Sequence, residues 1–286
     1  MAMRFSLAHL TALGFSPPEL TRAAARAGYD YVSFRIIYMG LPNEPNYDLA
    51  SNPAMLRETR RALAETGLGL HDIELARIDE KADPRRYLPA LEAAAGLGCR
   101  KAISSVWTAD RELALDRFRG LCELARPLGI EVDLEFMAFS ELKTLAQARR
   151  FLRDAGAPNA RLLIDTLHFH CSRGDLAELE ALPADSLGFV HLCDGPERIP
   201  DSAEGLIHIA RTSRRYPGEG GIDLAGIVDR LPESVYAIEL PNYVKVEIYG
   251  REGHAARCLE AAKAYFAAHP RRPLGAEGAG AEGRNA

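Results

Sequence analysis

The segments IEVDLEF (130–136), RLLIDT (161–166), LGFVHL (187–192) and VYAIEL (235–240) decide the fold. Each is a short apolar run with one ionisable residue at or beside its C-terminal end: Glu135, Asp165, His191 and Glu239. Successive side chains of a strand point to opposite faces. Val132, Leu134 and Phe136 therefore share one face, while Glu131, Asp133 and Glu135 share the other. The same parity sets Leu162 and Ile164 opposite Asp165, Val190 and Leu192 opposite His191, and Tyr236, Ile238 and Leu240 opposite Glu239.

Outward from these four runs the pattern repeats. Further strands are read at 4–9, 29–36, 69–75 and 101–106. Amphipathic stretches between the strands predict helices near 17–27, 53–66, 84–97, 110–127, 143–155, 175–181, 223–231 and 251–268. Ser16-Pro17-Pro18-Glu19 and Asp223 carry helix-start signals. Gly28, Gly67, Gly98 and Gly129 each stand just before a strand, where a helix closes. Eight strands alternating with eight helices predict an α/β fold with a parallel sheet. An open doubly wound sheet usually carries a Gly-rich phosphate loop after its first strand, and here that position reads HLTALGFSPPE. The expectation is a single (β/α)8 TIM barrel with parallel strands over 1–269. The tail 270–286, rich in Gly, Ala and charge, is expected to be disordered.

Composition narrows the function. A chain of 286 residues that is 47% hydrophobic can bury a large core, and a barrel of about 250 residues is an ordinary single domain. A net charge of −5 supplies no basic field for a nucleic-acid backbone, so no nucleic-acid partner is expected. No apolar run reaches the roughly 18 residues of a membrane span, and the start MAMRFSLAHL does not read as a signal peptide. The 5 cysteines are odd in number and form no CxxC pair, which fits a reducing, cytoplasmic compartment.

Barrel enzymes place their chemistry at the C-terminal strand ends. Glu135, Asp165, His191 and Glu239 fall at four consecutive ends and, by parity, all face the lumen. They are separated by 30, 26 and 48 residues. One βα unit takes about 30 residues, so the last gap contains an insertion, roughly 194–220, expected to form a loop over the mouth. The bland alternative is four isolated polar residues satisfied locally. Three carboxylates converging on one point repel each other and are costly to bury without a cation. The set predicts one divalent metal ion, with Mn²⁺, Mg²⁺ or Co²⁺ favoured and Zn²⁺ compatible.

The strings LEF (134–136), LLIDTLHFH (162–170), FVHLCDG (189–195), YPGEGGIDL (216–224) and AIELPN (237–242) resemble those of the xylose-isomerase-like sugar isomerase/epimerase superfamily. Its members include ketose 3-epimerases, hydroxypyruvate isomerases, inosose isomerases and dehydratases, dehydroshikimate dehydratases and endonuclease IV. The resemblance implies a metal-dependent isomerase or epimerase acting on a small sugar or polyol-derived keto compound. A proton alpha to a cation-polarised carbonyl would be abstracted to give an enediolate, with Glu135 and Glu239 flanking the substrate. It also implies a homodimer or homotetramer. The alternative is a metal-dependent dehydratase of the dehydroshikimate or inosose type. Met137 stands where the dehydroshikimate enzymes carry a histidine, which favours isomerisation. A second alternative is a non-catalytic binding barrel.

His168 matches a family histidine that contacts substrate, and is the candidate acid or base beside the two glutamates. Candidate substrate contacts are Asp194, Arg198, Trp107, Arg35, His9 and Glu74. Arg198 is one position off the epimerase pattern. Glu219, in the PGEGG loop, is a candidate partner for a metal ligand. Met137 is expected in the core, and Arg211, Arg214 and Arg215 on a solvated helix face.

Overall fold

The computed structural model describes residues 3–40, 44–81 and 83–272. Eight strands close into one all-parallel barrel in chain order. They are β1 (Arg4–Leu7), β2 (Tyr31–Arg35), β3 (Gly69–Ile78), β4 (Lys101–Val106), β5 (Glu131–Glu135), β6 (Ala160–Asp165), β7 (Leu187–Leu192) and β8 (Val235–Ile238). The helices are α1 (Pro17–Ala27), α2 (Pro53–Thr66), α3 (Leu88–Gly96), α4 (Arg111–Ala125), α5 (Leu145–Ala155), α6 (Thr166–Cys171), α7 (Leu176–Glu180), α8 (Ala203–Thr212), α9 (Leu224–Asp229) and α10 (Tyr243–Ala268). Closure by β1 pairing with β8, with Phe5 opposite Tyr236 and Leu7 opposite Ile238, excludes the open sheet.

Local chemistry explains the elements. In α1 the Glu19 carboxylate accepts the Ser16 backbone N–H at 2.8 Å, satisfying a donor the first turn leaves unpaired. The helix ends at Gly28, whose φ of 87° an L side chain rarely adopts. Strand parity sorts the apolar residues into two cores. Val132, Leu134, Phe136, Leu162, Ile164, Val190, Leu192, Tyr236 and Ile238 face the helices and join the large outer core. Leu75, Ile103, Leu163, Phe189 and Ala237 fill the lumen as a separate cluster. Each fully buried large apolar side chain contributes roughly 1.5–3 kcal/mol. The lumen cluster forms a floor, so the barrel is a packed core open only at its rim.

Several boundaries differ from the sequence-based expectation. β1 stops at Leu7, and His9 begins a 3-10 turn. β3 runs three residues past the expected end at 75, because it re-pairs with β4 after a register shift between Ile73 and Ala76. The insertion at 194–220 is not wholly a loop: it contains α8, capped by the Ser202 side chain. Residues 273–286 of the expected tail lie outside the described residues.

Candidate metal centre and active-site cavity

One atom from each of Glu135, Asp165, His191 and Glu239 lies within 4.8 Å of all the others. β5 supplies Glu135, β6 Asp165 and β7 His191, while Glu239 follows the last residue of β8. Asp165 and His191 are register partners on adjacent strands. His191 Nδ1 stands 3.3 Å from Glu135 Oε1, 3.4 Å from Glu239 Oε2 and 3.9 Å from Asp165 Oδ2. All four side chains are buried.

The donor set fits a divalent ion on an observation independent of the sequence. Both ring nitrogens of His191, and Oε1 of Glu135, are buried without a hydrogen-bond partner. Buried polar atoms are normally paired, and a cation at the centre of the cluster would pair these. The electrostatics agree. Burial disfavours a charged His191, yet the Glu239 and Glu135 carboxylates outweigh it and hold the imidazole well above its ordinary pKa. The carboxylates thus demand positive charge at that place.

Sequence reasoning missed Arg214. It is buried, not solvated. Its Nη1 donates to Asp165 Oδ2 at 2.6 Å and its Nη2 lies 2.7 Å from Glu239 Oε2. Nη1 also donates to the Glu239 carbonyl and Nε to the Ala210 carbonyl. Burial alone would raise both carboxyl pKa values. For Asp165 the Arg214 charge outweighs it, and for Glu239 the charges of His191 and Arg214 do, so both acids are held below their ordinary values. The three site carboxylates, Arg214 and a divalent ion together are formally neutral.

A cavity opens above the cluster. It is lined by Glu135, Glu239, His168 and Arg214 together with Arg35, Glu74, Arg77, Trp107 and Arg211, with Met39, Met137 and Phe139 as apolar wall. His168 is buried and packs edge-on against Phe139, ring centroids 5.4 Å apart. Met137, expected in the core, is buried as expected and also lines the cavity. Arg35 and Glu74 reach the cavity as an ion pair at 2.9 Å, with Glu44 on the other side of Arg35 at 3.0 Å. Burial pushes the Glu74 carboxyl up to about 7, with Arg35 opposing. Trp107 donates from Nε1 to Ser105 Oγ at 2.8 Å.

Of the expected substrate contacts and the expected ligand partner, four do not line the cavity among the described residues. His9 is fully buried, with Nε2 2.8 Å from the Phe15 carbonyl and Nδ1 accepting the Arg35 backbone N–H. Burial lowers its pKa to about 4, so it stays neutral and holds β2 to the first turn. Asp194 is buried, and its two oxygens accept the backbone N–H groups of Gly195, Gly218, Gly220 and Ile222. It organises the YPGEGG loop and has little acceptor capacity left for substrate. Arg198 has a side chain 92% exposed, 3.9 Å from Asp201. Glu219 faces outward and pairs with Lys245 at 2.7 Å, so it is Arg214, from the same segment, that touches the metal-site carboxylates.

Residues 21–268 match the family model described as xylose isomerase-like TIM barrel. The chain belongs to the xylose isomerase-like TIM barrel family. Among its curated relatives is a 3-dehydroshikimate dehydratase of Pseudomonas aeruginosa, 28% identical over 82% of this chain and 37% of that protein. Another is an inosose isomerase of Halalkalibacterium halodurans, 28% identical over 50% of this chain and 48% of the relative. The chain thus spans less than half the length of these two relatives. Other matched members are named epimerases. A crystal structure of the IOLI protein with a binding zinc atom superposes with a TM-score of 0.74 at 18% identity, covering 93% of this chain and 99% of that one. The family members matched by sequence are named as enzymes, which makes this xylose isomerase-like barrel one of an enzyme family. Among the described residues no helix is long and apolar enough to cross a membrane.

Proposed function

We propose that the protein is a divalent-metal-dependent isomerase or epimerase of a small sugar or polyol-derived keto compound. The observation that carries this reading is the group of orphaned, buried donors on His191 and Glu135, beside a cavity that Glu135, Glu239 and His168 line. Glu135, Asp165, His191 and Glu239 would hold the ion, with Mn²⁺, Mg²⁺ or Co²⁺ suiting the oxygen-rich set. When bound, the ion polarises a carbonyl as a Lewis acid and offsets the charge that develops there.

The chain's own residues do the rest. Glu135 and Glu239 come from strands separated by β6 and β7, so they approach the cavity from different directions. Glu135 also lines the cavity, and the carboxylate oxygen not used to hold the ion would take the proton alpha to the carbonyl. Glu239 is tied to Arg214 at 2.7 Å, which fixes its orientation and favours its ionised form. His168, on the cavity wall, is placed to move a proton between substrate oxygens. Arg214 keeps Asp165 and Glu239 ionised and turned inward. Phe139, Met137 and Trp107 exclude water from the reacting carbon.

A dehydratase shares the first proton abstraction and differs in protonating a leaving hydroxyl. The matching 3-dehydroshikimate dehydratase supports this second reading, and His168 is the residue placed to act as that acid. Metal-loaded protein incubated in D₂O with ketoses, inososes and 3-dehydroshikimate separates the two. Deuterium in recovered substrate and a rearranged carbonyl support the isomerase or epimerase, and loss of water selects the dehydratase. No exchange and no product with any of them contradicts both. By the same resemblance we propose a homo-oligomer, and from the odd number of cysteines without a CxxC pair a cytoplasmic location.

A further inference from the structure

Four arginines line the cavity, and two of them have no acidic partner. Arg35 is neutralised by Glu44 and Glu74. Arg214 is neutralised by Asp165 and Glu239. Arg77 and Arg211 make no ion pair and no side-chain hydrogen bond with any described residue. The Arg77 guanidinium carbon instead lies 4.1 Å from the centroid of the Trp107 ring, and its buried Nε–H has no acceptor. Leaving a buried donor unpaired is unfavourable, and more so on a charged group. Arg211 leans in from α8 in the inserted segment. Burial, and then the nearby charges of Arg35 and Arg77, hold its guanidinium below the ordinary arginine value.

The formal charge of the cavity points the same way. The carboxylates at the metal centre, Arg214 and a divalent ion cancel. Glu44 and Glu74 together exceed Arg35 by one negative charge, even with both ionised. Arg77 and Arg211 reverse that, so the loaded cavity carries surplus positive charge. Arg77 sits on β3, four strands around the barrel from β7 and His191, and lines the same cavity as Glu135 and Glu239. A guanidinium held over an indole face still has its planar fork of N–H donors, which can receive two oxygens of an anion.

We propose that Arg77, backed by Trp107, and Arg211 form a seat for an anionic oxygen group of the substrate, a carboxylate or a phosphate, in the cavity that Glu135 and Glu239 also line. The proposal rests on the cavity being the substrate site, and it restricts the substrate to acidic keto compounds rather than neutral sugars. Arg198, the arginine expected for this task from sequence, is on the outer surface.

Two paired substrates test the seat on the wild-type, metal-loaded protein: 3-dehydroshikimate against its methyl ester, and fructose 6-phosphate against fructose. A binding measurement without turnover accompanies them, with shikimate titrated calorimetrically into wild type, Arg77→Gln and Arg211→Gln. The seat predicts at least a tenfold advantage in KM for the charged member of one pair, and which pair shows it tells carboxylate from phosphate. If the carboxylate is the occupant, shikimate binds at least tenfold more weakly to each variant. Equal handling of charged and neutral members in both pairs, with shikimate binding unchanged by both replacements, overturns the seat. Turnover of neutral keto compounds without preference overturns the seat and leaves the isomerase reading standing. Arginine-dependent shikimate binding with no C–H exchange in any compound supports the seat and removes the enzyme reading.

Discussion

Arg214 and Asp165 are 49 residues apart in the chain and 2.6 Å apart across the barrel mouth. The same guanidinium reaches Glu239, so one side chain from the inserted segment fixes two of the four carboxylate and imidazole groups of the candidate metal centre.

Replacing Arg214 should separate orientation from metal retention. Arg214→Met removes one positive charge and frees two carboxylates to rotate. Partners behind metal ligands are worth about 10–100-fold in affinity or activity. The expected outcome is a fall in kcat of that size with metal still bound, read by steady-state kinetics and metal content on the same sample. Unchanged kcat would remove Arg214 from the mechanism.

His168 should separate the two halves of the reaction. In His168→Gln, turnover should fall about 10²–10⁴-fold, the range for losing a general acid or base. Deuterium exchange at the substrate carbon should survive, because Glu135 takes that proton. Loss of exchange along with turnover would assign His168 to C–H abstraction instead.

These two residues show what the sequence could tell. Period-2 alternation in IEVDLEF and its three counterparts placed Glu135, Asp165, His191 and Glu239 on the lumen face, because parity is a local property of a strand. Arg214 was illegible for the opposite reason. In IARTSRRYPG nothing local separates a surface helix end from one that turns back beneath the mouth, and its partners lie far away in sequence. Arg77 was hidden by the register shift in β3, which breaks the parity count between Ile73 and Ala76. Asp194 showed a polar residue near the site, but the four backbone N–H groups it collects become visible only when the YPGEGG loop is folded.

Asp194 should therefore matter for stability more than for chemistry. Asp194→Ala leaves four backbone donors to find other acceptors, and a hydrogen bond to a charged group contributes about 1.5–3 kcal/mol. A loss of about 3–5 kcal/mol is expected in denaturant unfolding. Asp194→Asn, which keeps an acceptor oxygen but no charge, should lose less.

Asp133 lies deep in the lumen, below the metal centre, with neither carboxylate oxygen hydrogen-bonded and Lys101 Nζ 3.6 Å away. Burial raises its pKa to about 7, Lys101 opposing, against about 3.9 in an unfolded chain. Between those values the folded protein holds a proton that the unfolded chain has lost. Its contribution is therefore complete below about pH 4 and is lost as pH rises through about 7. Asp133→Asn should raise stability by about 2–4 kcal/mol at pH 8 and by little at pH 4.5, checked by urea midpoints at the two pH values. A gain independent of pH would contradict the assignment.

The central claim is that Glu135, Asp165, His191 and Glu239 together hold a divalent ion. Its most direct test is metal content by emission spectroscopy after loading with Mn²⁺ or Co²⁺ and desalting, for wild type, Asp165→Ala and His191→Ala. The account predicts about one ion per wild-type chain and a small fraction of that in either variant. Wild-type protein that retains no ion, or variants that retain a full complement, would contradict it.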